Sequence, residues 1–402
     1  MKEIHLLSAG LPNDQNLGDP LLLECTKKLY SKILARYDFN VKWSNCDIRP
    51  RGTISVWEFF SKRCFSQTSK YKNSLPKFLI SFLLNLGIYF QKKAYSKFFK
   101  EKEIIKGVIV AGGGLFHFKT HPYLQSICAL ISLCKKYHIP IIINSVGIED
   151  YNKDDPFFNF YRRLLNDDIV KAFTTRDGIF ELENDIIYNK NIYTALQPDT
   201  AILTDELILK DSTAETRQIV GIGLIRPDIF TVYKSSYNKD TLLGFYIHII
   251  QRLKIEHINY EFFTNGLDID SKLLSLIEEY FGEKFPVRQA HNISELVNII
   301  SGYKALVVLR MHAAIICYSL RKPCAAFSWN KKLDYFFNLI NRSDFLVKPT
   351  SDIEAQVKQL MDLFITDFKH GPFFDEERRS SLRKIIYNNC DYIINLLLIG
   401  RG

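Results

Sequence analysis

The 402-residue sequence has no pair of cysteines at C-x-x-C spacing, although it contains eight cysteines. Several of these cysteines fall inside apolar periodic patterns, which indicates reduced residues packed in a core and not disulfides or a zinc site. No apolar run reaches the roughly 20 residues of a membrane-spanning helix, because the most apolar one, 78–90, is interrupted by Ser81, Asn85 and Gly87. A signal peptide is not expected either, since residues 1–10 have the pattern of a first β-strand. We therefore expect a cytoplasmic protein.

The charge of the chain lacks the large excess of one sign that is typical of nucleic-acid-binding proteins. Lysine and arginine number 53 against 44 acidic residues, which gives a formal net charge of +9. This moderate excess suits acidic small substrates or an anionic membrane surface, and we expect no nucleic-acid partner. The 47% hydrophobic and 24% charged residues are typical of a soluble globular protein that is long enough for two domains.

Apolar, β-rich runs alternate with helical patterns through both halves of the chain. Strands are predicted at 3–9, 104–116, 139–146, 170–174, 219–225, 259–263, 305–309 and 323–327. This alternation predicts an α/β protein with two doubly wound, Rossmann-like domains that face a cleft. The polar segment 206–217 is the predicted linker between an N-terminal domain, 1–205, and a C-terminal domain, 218–402, which ends in long amphipathic helices.

A basic insertion at about 50–102 interrupts the N-terminal domain. Residues 62–102 contain ten lysines and arginines and a single acid, Glu101. The aromatic-rich apolar segment 78–90 lies in its middle. Basic flanks around such a segment are typical of an interfacial helix, which predicts contact of 61–102 with the inner face of the cytoplasmic membrane. A core helix with solvated basic ends explains the same pattern.

Arg310 and His312 stand between the predicted strand 305–309 and a predicted helix, 313–320. Ligands of open α/β sheets bind at the carboxyl ends of the strands, and the first turn of a helix offers free N–H groups to an anion. The position therefore predicts an anion site beside a titratable group. A salt-bridged structural arginine and a buried core histidine form the alternative.

Other loops have the same strand-to-helix placement. Asn16, Gly18 and Asp19 precede a helix for which Asp19 is the predicted N-cap and Pro20 the first helical residue. A phosphate-cradling turn and a plain capped turn are equally compatible with that pattern. Arg176 follows the strand 170–174 as Arg310 follows its own strand.

His117 and His121 are the only histidines placed close enough in a loop to suggest a metal site. A metal would need further ligands, and the sequence offers none nearby. We therefore interpret them as loop histidines and expect no metal.

Eight short motifs follow one another from residue 3 to about residue 340. They are N-x-G-D (Asn16, Gly18, Asp19), GGG (Gly112, Gly113, Gly114), T-x-R-D (Thr174, Arg176, Asp177), P-D (Pro198, Asp199), TNG (Thr264, Asn265, Gly266), ISEL (293–296), R-x-H (Arg310, His312) and, more loosely, Pro323 with Lys331 and Phe336. In their order and spacing the chain resembles the polysaccharide pyruvyl transferase family.

The resemblance implies a GT-B-type fold and transfer of the enolpyruvyl unit of phosphoenolpyruvate to a sugar. The acceptor would belong to an exopolysaccharide, a capsule or another cell-surface glycan, or to its lipid-linked or nucleotide-linked precursor. The product would be a cyclic pyruvate ketal, phosphate would leave, and no cofactor is implied.

The resemblance also implies roles for residues. Arg310 and Arg176 would hold the donor from the two domains, and His312 would transfer protons. A carboxylate, Asp19 or Asp177, would assist, although both could instead cap helices. The other implied substrate contacts are Asn16, Gly18, Gly112, Gly113, Gly114, Asn265 and Lys331.

Two alternative functions remain compatible with the sequence. The first is a GT-B glycosyltransferase whose Arg310 clamps the diphosphate of a nucleotide sugar. The second is a catalytically silent, membrane-associated protein that binds glycans.

Overall fold

The computed structural model describes residues 1–49, 77–99, 104–118, 121–155, 157–209, 216–232, 237–350, 352–372 and 374–399. The chain is α/β and divides into two compact units. Unit 1 comprises Met1–Asn13, Thr26–Asp199 and Ile385–Gly402, and unit 2 comprises Asp14–Cys25 and Thr200–Lys384. Each unit contains one six-stranded sheet in which every pairing is parallel.

The sheet of unit 1 has the strand order β2-β1-β3-β5-β7-β8. All six residues of the central strand β5 are buried, as a parallel strand covered on both faces requires. A separate two-stranded parallel sheet pairs β4 with β6. The strands are β1 (Lys2–Gly10), β2 (Phe39–Asp47), β3 (Ile105–Ala111), β4 (Phe116–His117), β5 (Ile141–Val146), β6 (Ile148–Glu149), β7 (Val170–Thr175) and β8 (Tyr193–Leu196).

The helices of this part of the chain connect those parallel strands. Among them, Leu124–Tyr137 is buried over most of its length up to Cys134. The others are Lys77–Tyr95, Phe158–Leu165 and Ile179–Glu181, with short 3₁₀ and π segments at Ser96–Phe99 and Leu182–Ile186. The helix Gly18–Arg36 contributes residues to both units.

The sheet of unit 2 has the order β11-β10-β9-β12-β13-β14. Its strands are β9 (Arg217–Gly223), β10 (Tyr260–Thr264), β11 (Val287–Gln289), β12 (Tyr303–Val308), β13 (Cys324–Phe327) and β14 (Leu346–Val347). Its helices are Thr204–Leu207, Ile229–Val232, Lys239–Ile255, Lys272–Phe281, Ile293–Ser301, Met311–Ser319, Lys331–Leu339 and Ile353–His370, with 3₁₀ turns at Thr200–Leu203, Asp268–Ser271 and Ser343–Phe345.

The division into units differs from the boundaries drawn from the sequence, 1–205 and 218–402. The last helix, Glu376–Ile399, ends in unit 1, where Cys390 is fully buried beside Asn144 and Gln197. Tyr193 also donates a 2.9 Å hydrogen bond to Asn389 of this helix. These contacts lie far apart in the sequence, so local patterns give no sign of them.

The predicted linker, 206–217, contains structured residues. Glu206 lies in the helix Thr204–Leu207, and its carboxylate pairs with Arg383. The neighbouring Asp205 accepts hydrogen bonds from both Arg379 and Arg383. Residues 210–215 lie outside the described part of the chain, and β9 begins at Arg217. The polar composition that suggested a linker is explained in part by these ion pairs.

The helical segment of the predicted basic insertion is present as Lys77–Tyr95. Residues 50–76 and 100–103, which complete the insertion, lie outside the described residues. Within the described part of the chain, no helix is long and apolar enough to cross a membrane.

Candidate functional site

Three loops that carry family-like motifs meet within unit 2. The segment before the helix Gly18–Arg36 packs on the loop after β10, where the N–H of Leu17 donates a 3.0 Å hydrogen bond to the carbonyl of Asn265. Gly266 has a positive φ of 100°, and a methyl group added there would lie 2.4 Å from the carbonyl oxygen of Gln15. Only glycine allows both this backbone conformation and this approach.

The third loop, after β12, meets the first at Gly18. A methyl group added at Gly18 would lie 2.1 Å from Nδ1 of His312 and 2.5 Å from Cγ. The backbone of Gly18 is therefore packed directly on the imidazole ring. His312 itself is 7% exposed. The glycine of the N-x-G-D motif thus fixes the place of the histidine of the R-x-H motif, although almost 300 residues separate them.

Asp19 does not have the N-cap position that the sequence predicted. The helix begins at Gly18, so Asp19 lies within its first turn. Its Oδ2 accepts a 3.2 Å hydrogen bond from Nδ2 of Asn16, and the N–H of Asn16 donates to Oδ1 of Asp14 at 2.8 Å. These bonds fold the loop on itself, and the helix begins at Gly18, two residues before the predicted first helical residue Pro20.

Arg310 is held by a carboxylate that the sequence did not single out. Asp270 is fully buried, and its two oxygens accept hydrogen bonds from Nε and Nη2 of Arg310, the first at 3.1 Å. Burial raises the pKa of the Asp270 carboxyl, and the positive charge of Arg310 acts in the opposite direction. Because Asp270 occupies the side edge of the guanidinium, the end edge with Nη1 and Nη2 is the one that a ligand can grip.

The sequence signal for Asp270 was weak for a physical reason. It lies in the 3₁₀ turn Asp268–Ser271, just before the helix Lys272–Phe281. An acid at the start of a helix is ordinary, because it interacts favourably with the helix dipole. Only the long-range contact with Arg310 distinguishes it.

The helix Met311–Ser319 begins directly after Arg310. Arg310 has the extended backbone of an N-cap residue, with φ −95° and ψ 126°, and His312 is the second residue of the helix. The N–H groups at the start of a helix and the helix dipole favour an anion at this end. The arginine, the histidine and the helix N-terminus are therefore concentrated at the carboxyl end of β12.

Lys331 lies at the neighbouring strand end. It is exposed and is the first residue of the helix Lys331–Leu339, which follows β13. The preceding residues connect the two strand ends, because Nε1 of Trp329 donates a 2.6 Å hydrogen bond to the carbonyl of Leu309. Thus Asn16, Gly18, Asp19, Asn265, Arg310, His312 and Lys331, seven of the predicted site residues, belong to unit 2.

Arg176 belongs to unit 1 and is surrounded by carboxylates there. It is 3% exposed, and its Nη1 donates a 2.8 Å hydrogen bond to Asp199. Burial alone lowers the pKa of Arg176, but the charges of Asp199, Asp177 and Glu149 together raise it. This pair connects the T-x-R-D and P-D motifs. A ligand anion at Arg176 would have to compete with these acids.

The three glycines of the GGG motif lie in the same unit as Arg176. A methyl group on Gly114 would lie 1.8 Å from Oε1 of Glu149, so that carboxylate packs on the loop. A methyl group on Gly147 would lie 2.9 Å from the carbonyl of Gly113 and 3.3 Å from the Arg176 guanidinium. Gly112 is buried, and a methyl group on it would meet Leu115 at 2.9 Å. The glycines therefore permit close packing around Arg176 and Glu149.

Asp177 and Glu295 have clear structural partners. Oδ1 of Asp177 accepts a 2.6 Å hydrogen bond from the N–H of Ile148. Glu295, in the ISEL motif, accepts from the N–H of His291, while Asn292 caps the helix Ile293–Ser301 by accepting from the N–H of Glu295. Both carboxylates thus accept hydrogen bonds from backbone N–H groups of nearby loops.

The two candidate metal-ligating histidines are not brought together with further ligands. His121 is buried, and its Nε2 lies 2.9 Å from Oδ2 of Asp155. His117 lies 3.5 Å from a carboxylate oxygen of Asp150. In the described residues, no group of three or more histidines, cysteines or acids is arranged to hold a metal. Metal independence stays a prediction.

The fold is similar to that of solved structures. UDP-GlcNAc 2-epimerase from Methanocaldococcus jannaschii is 11% identical, with a TM-score of 0.55 over 96% of this chain and 99% of that chain. The S. aureus MnaA–UDP complex is 13% identical, with a TM-score of 0.53 over 98% of each chain. At this identity the likeness shows the fold, which is of the GT-B type.

A search of curated protein sequences finds no match. The family model for polysaccharide pyruvyl transferase, by contrast, matches residues 16–331. This match begins at Asn16 and ends at Lys331, so it includes the three loops that meet in unit 2 and the Arg176 cluster of unit 1. The chain therefore belongs to the polysaccharide pyruvyl transferase family.

Proposed function

We propose that this protein transfers the enolpyruvyl unit of phosphoenolpyruvate to a sugar and forms a pyruvate ketal. The observation that carries the proposal is the packing of Gly18 on His312, beside an Arg310 that Asp270 holds. Residues of three motifs within the family match thus lie close together in unit 2, which supports the proposal. The acceptor in this proposal is a sugar of a cell-surface glycan, or of its lipid-linked or nucleotide-linked precursor.

The donor suits the anion site at the end of β12. Phosphoenolpyruvate carries a carboxylate and a phosphate on one carbon, and a guanidinium binds either group through two parallel hydrogen bonds. The end edge of Arg310 offers such a pair, and the first turn of the helix Met311–Ser319 adds N–H donors. Lys331, exposed at the next strand end, would add positive charge where phosphate departs.

His312 would transfer the protons of the reaction. In the first step one sugar hydroxyl adds to C2 of phosphoenolpyruvate, loses its proton to a base, and the methylene carbon gains a proton to become a methyl group. Phosphate then leaves, and a second hydroxyl adds to the resulting oxocarbenium-like carbon and loses its proton. An imidazole can serve as both acid and base, and general acid–base catalysis of this kind raises a reaction rate by about 10²–10⁴-fold.

Asp19 would act on His312 through the loop that it stabilises. Its bond to Asn16 supports the backbone that packs on the imidazole ring. Asn265 anchors the same loop through its carbonyl oxygen. We assign these residues to positioning and keep the proton transfer for His312. Arg176 and the glycines Gly112, Gly113 and Gly114 would contribute substrate contacts from unit 1, where they lie close to Glu149.

The test is incubation of the protein with phosphoenolpyruvate and with lipid-linked and nucleotide-linked sugars extracted from the producing cells. Mass spectrometry should find a sugar that is heavier by one pyruvate less one water, and inorganic phosphate should appear in equal amount. His312→Ala should abolish both signals. The similar S. aureus MnaA structure is a complex with UDP, so UDP-sugars without phosphoenolpyruvate are the control. Release of nucleotide in that control would contradict the proposal and favour a glycosyltransferase.

A further inference from the structure

The helix Lys77–Tyr95 has two opposite faces of different exposure. One face packs into the core of unit 1 through Leu84, Ile88 and Tyr95, each at most 6% exposed. Gly87 lies on the same face, and a methyl group added there would lie 2.4 Å from the side-chain amide of Gln125 in the helix Leu124–Tyr137. The glycine therefore allows the two helices to pack closely.

The opposite face carries aromatic rings in contact with solvent. Phe82, Tyr89 and Phe90 are 60%, 61% and 50% exposed. With 3.6 residues per turn, these three positions fall within an arc of about 100°, centred roughly opposite the buried face. The outward face of a helix in a globular protein normally carries polar residues. Three large exposed rings on one face instead mark an interaction surface.

Positive charge adjoins these rings. Lys93 is exposed and, at 100° per residue, lies on the same face as Phe82 and Tyr89. Lys97 is exposed in the 3₁₀ segment Ser96–Phe99, which follows the helix directly. The sequence from 62 to 102 contains ten basic residues and one acid. We call the set Phe82, Tyr89, Phe90, Lys93 and Lys97 the aromatic–lysine face. It combines apolar area with an excess of positive charge.

We propose that the aromatic–lysine face docks on an anionic lipid bilayer. Aromatic rings insert at the boundary between acyl chains and headgroups, and lysines keep their ammonium groups at the level of lipid phosphates. The helix binds parallel to the surface, because its other face is committed to the core of unit 1. A second copy of this chain is a poorer occupant, since two copies of this face would bring two sets of lysines together, and residues 77–97 contain no acid to neutralise them.

This docking does not depend on pyruvyl transfer, so the two proposals fail separately. The experiment uses full-length protein in a vesicle sedimentation assay. The vesicles consist either of phosphatidylcholine alone or of phosphatidylcholine mixed with phosphatidylglycerol. The protein should sediment with the anionic vesicles at least about tenfold more strongly than with the neutral ones, and high salt should weaken this binding.

Variants locate the binding to the aromatic–lysine face. The triple change Phe82→Ser, Tyr89→Ser and Phe90→Ser should reduce binding to anionic vesicles by at least about tenfold. The double change Lys93→Glu and Lys97→Glu should do the same. All five positions are exposed, so the melting temperature should stay close to that of the wild type.

Matched controls come from exposed residues elsewhere. Phe180, Tyr188 and Tyr280 are 71%, 52% and 55% exposed, and replacing all three by serine removes a similar area of exposed aromatic ring. This control should leave vesicle binding unchanged. Failure of the wild type to sediment, or equal sedimentation of the triple variant, would overturn the proposal. A dimer in size-exclusion chromatography that the triple variant disrupts would also overturn it, in favour of a contact between copies.

Discussion

Asp270 binds the side edge of the Arg310 guanidinium through both Nε and Nη2 and is itself fully buried. The pair leaves the end edge of Arg310, which is formed by Nη1 and Nη2, to donate hydrogen bonds to an anion. Asp270→Asn keeps the size of the side chain but removes the charge that orients the guanidinium. We expect the KM for phosphoenolpyruvate to rise about tenfold or more, which corresponds to about 1.4 kcal/mol, with a smaller change in kcat.

The control for this variant is Asp362→Asn. Asp362 also pairs with an arginine, Arg252, at 2.8 Å, but its side chain is 55% exposed. Its removal should leave KM unchanged and cost at most about 1 kcal/mol of stability. A loss of stability in Asp270→Asn with an unchanged KM would mean that Asp270 only stabilises the fold.

Gly18→Ala should displace the imidazole ring of His312. The added methyl group would lie 2.1 Å from Nδ1, so the ring or the loop must move. We expect kcat to fall at least about tenfold, because a displacement on the order of 1 Å disturbs proton transfer strongly.

Gly244→Ala is the matched control for Gly18→Ala. Gly244 lies inside the helix Lys239–Ile255, and a methyl group there would meet only Ile353, at an ordinary contact distance of 3.5 Å. The control should keep full activity and gain up to about 1 kcal/mol of stability, because alanine favours the helix. Wild-type kcat in Gly18→Ala would contradict the proposed role of the His312 ring that this loop packs on.

Arg176→Met should destabilise the protein, because it removes the positive charge that pairs with the buried carboxylate of Asp199. Asp199 is 2% exposed and would lose its ion-pair partner Arg176. Breaking one side of a buried pair costs about 3–5 kcal/mol, whereas Arg176→Met combined with Asp199→Leu should recover part of that loss. Urea unfolding measures both changes. An Arg176→Met protein of normal stability that no longer binds phosphoenolpyruvate would favour a direct contact with the donor.

The ion pairs of Glu261 predict a specific loss of stability in acid. Its carboxylate accepts hydrogen bonds from Nη1 and Nη2 of Arg217 and also pairs with Arg288 at 2.6 Å. Burial raises the pKa of Glu261, but the hydrogen bonds and charges of its partners outweigh it, and the pKa falls below its ordinary value of 4.5. A pKa lower in the folded state gives stability that is present above the ordinary pKa and is lost as the pH falls through the folded pKa.

Glu261→Gln should therefore be less stable than the wild type at pH 7. The difference in the free energy of unfolding should shrink as the pH falls below about 4.5. Glu279→Gln, at an exposed position, serves as the control and should track the wild type at every pH. If the difference in the free energy of unfolding did not change with pH, the charge of Glu261 would contribute nothing to stability, and only its packing would matter.

The position of the R-x-H motif could be predicted because its signals are local. An apolar run before Arg310 and a helical pattern after His312 predict a strand end and a helix start, and the structure has both, at Val308 and Met311.

The remainder depends on contacts that no local pattern encodes. The edge strand Phe39–Asp47 alternates partly exposed and exposed residues along most of its length and has no apolar run, so only its register with β1 identifies it. The end of the last helix lies in unit 1 because of Cys390 and Asn389, and Asp270 reaches Arg310 across 40 residues. Asp19 was displaced from the predicted N-cap by hydrogen bonds inside its own loop.

Calorimetric titration with phosphoenolpyruvate tests most directly whether the Arg310 edge of unit 2 is the donor site, because it needs no acceptor sugar. We predict that the wild type binds phosphoenolpyruvate and that Arg310→Ala binds it at least about a hundredfold more weakly, since a charge-assisted bidentate pair is lost. Arg310→Lys should bind weakly as well, because lysine does not reproduce the bidentate geometry. Equal affinity of the wild type and a folded Arg310→Ala protein would contradict the assignment.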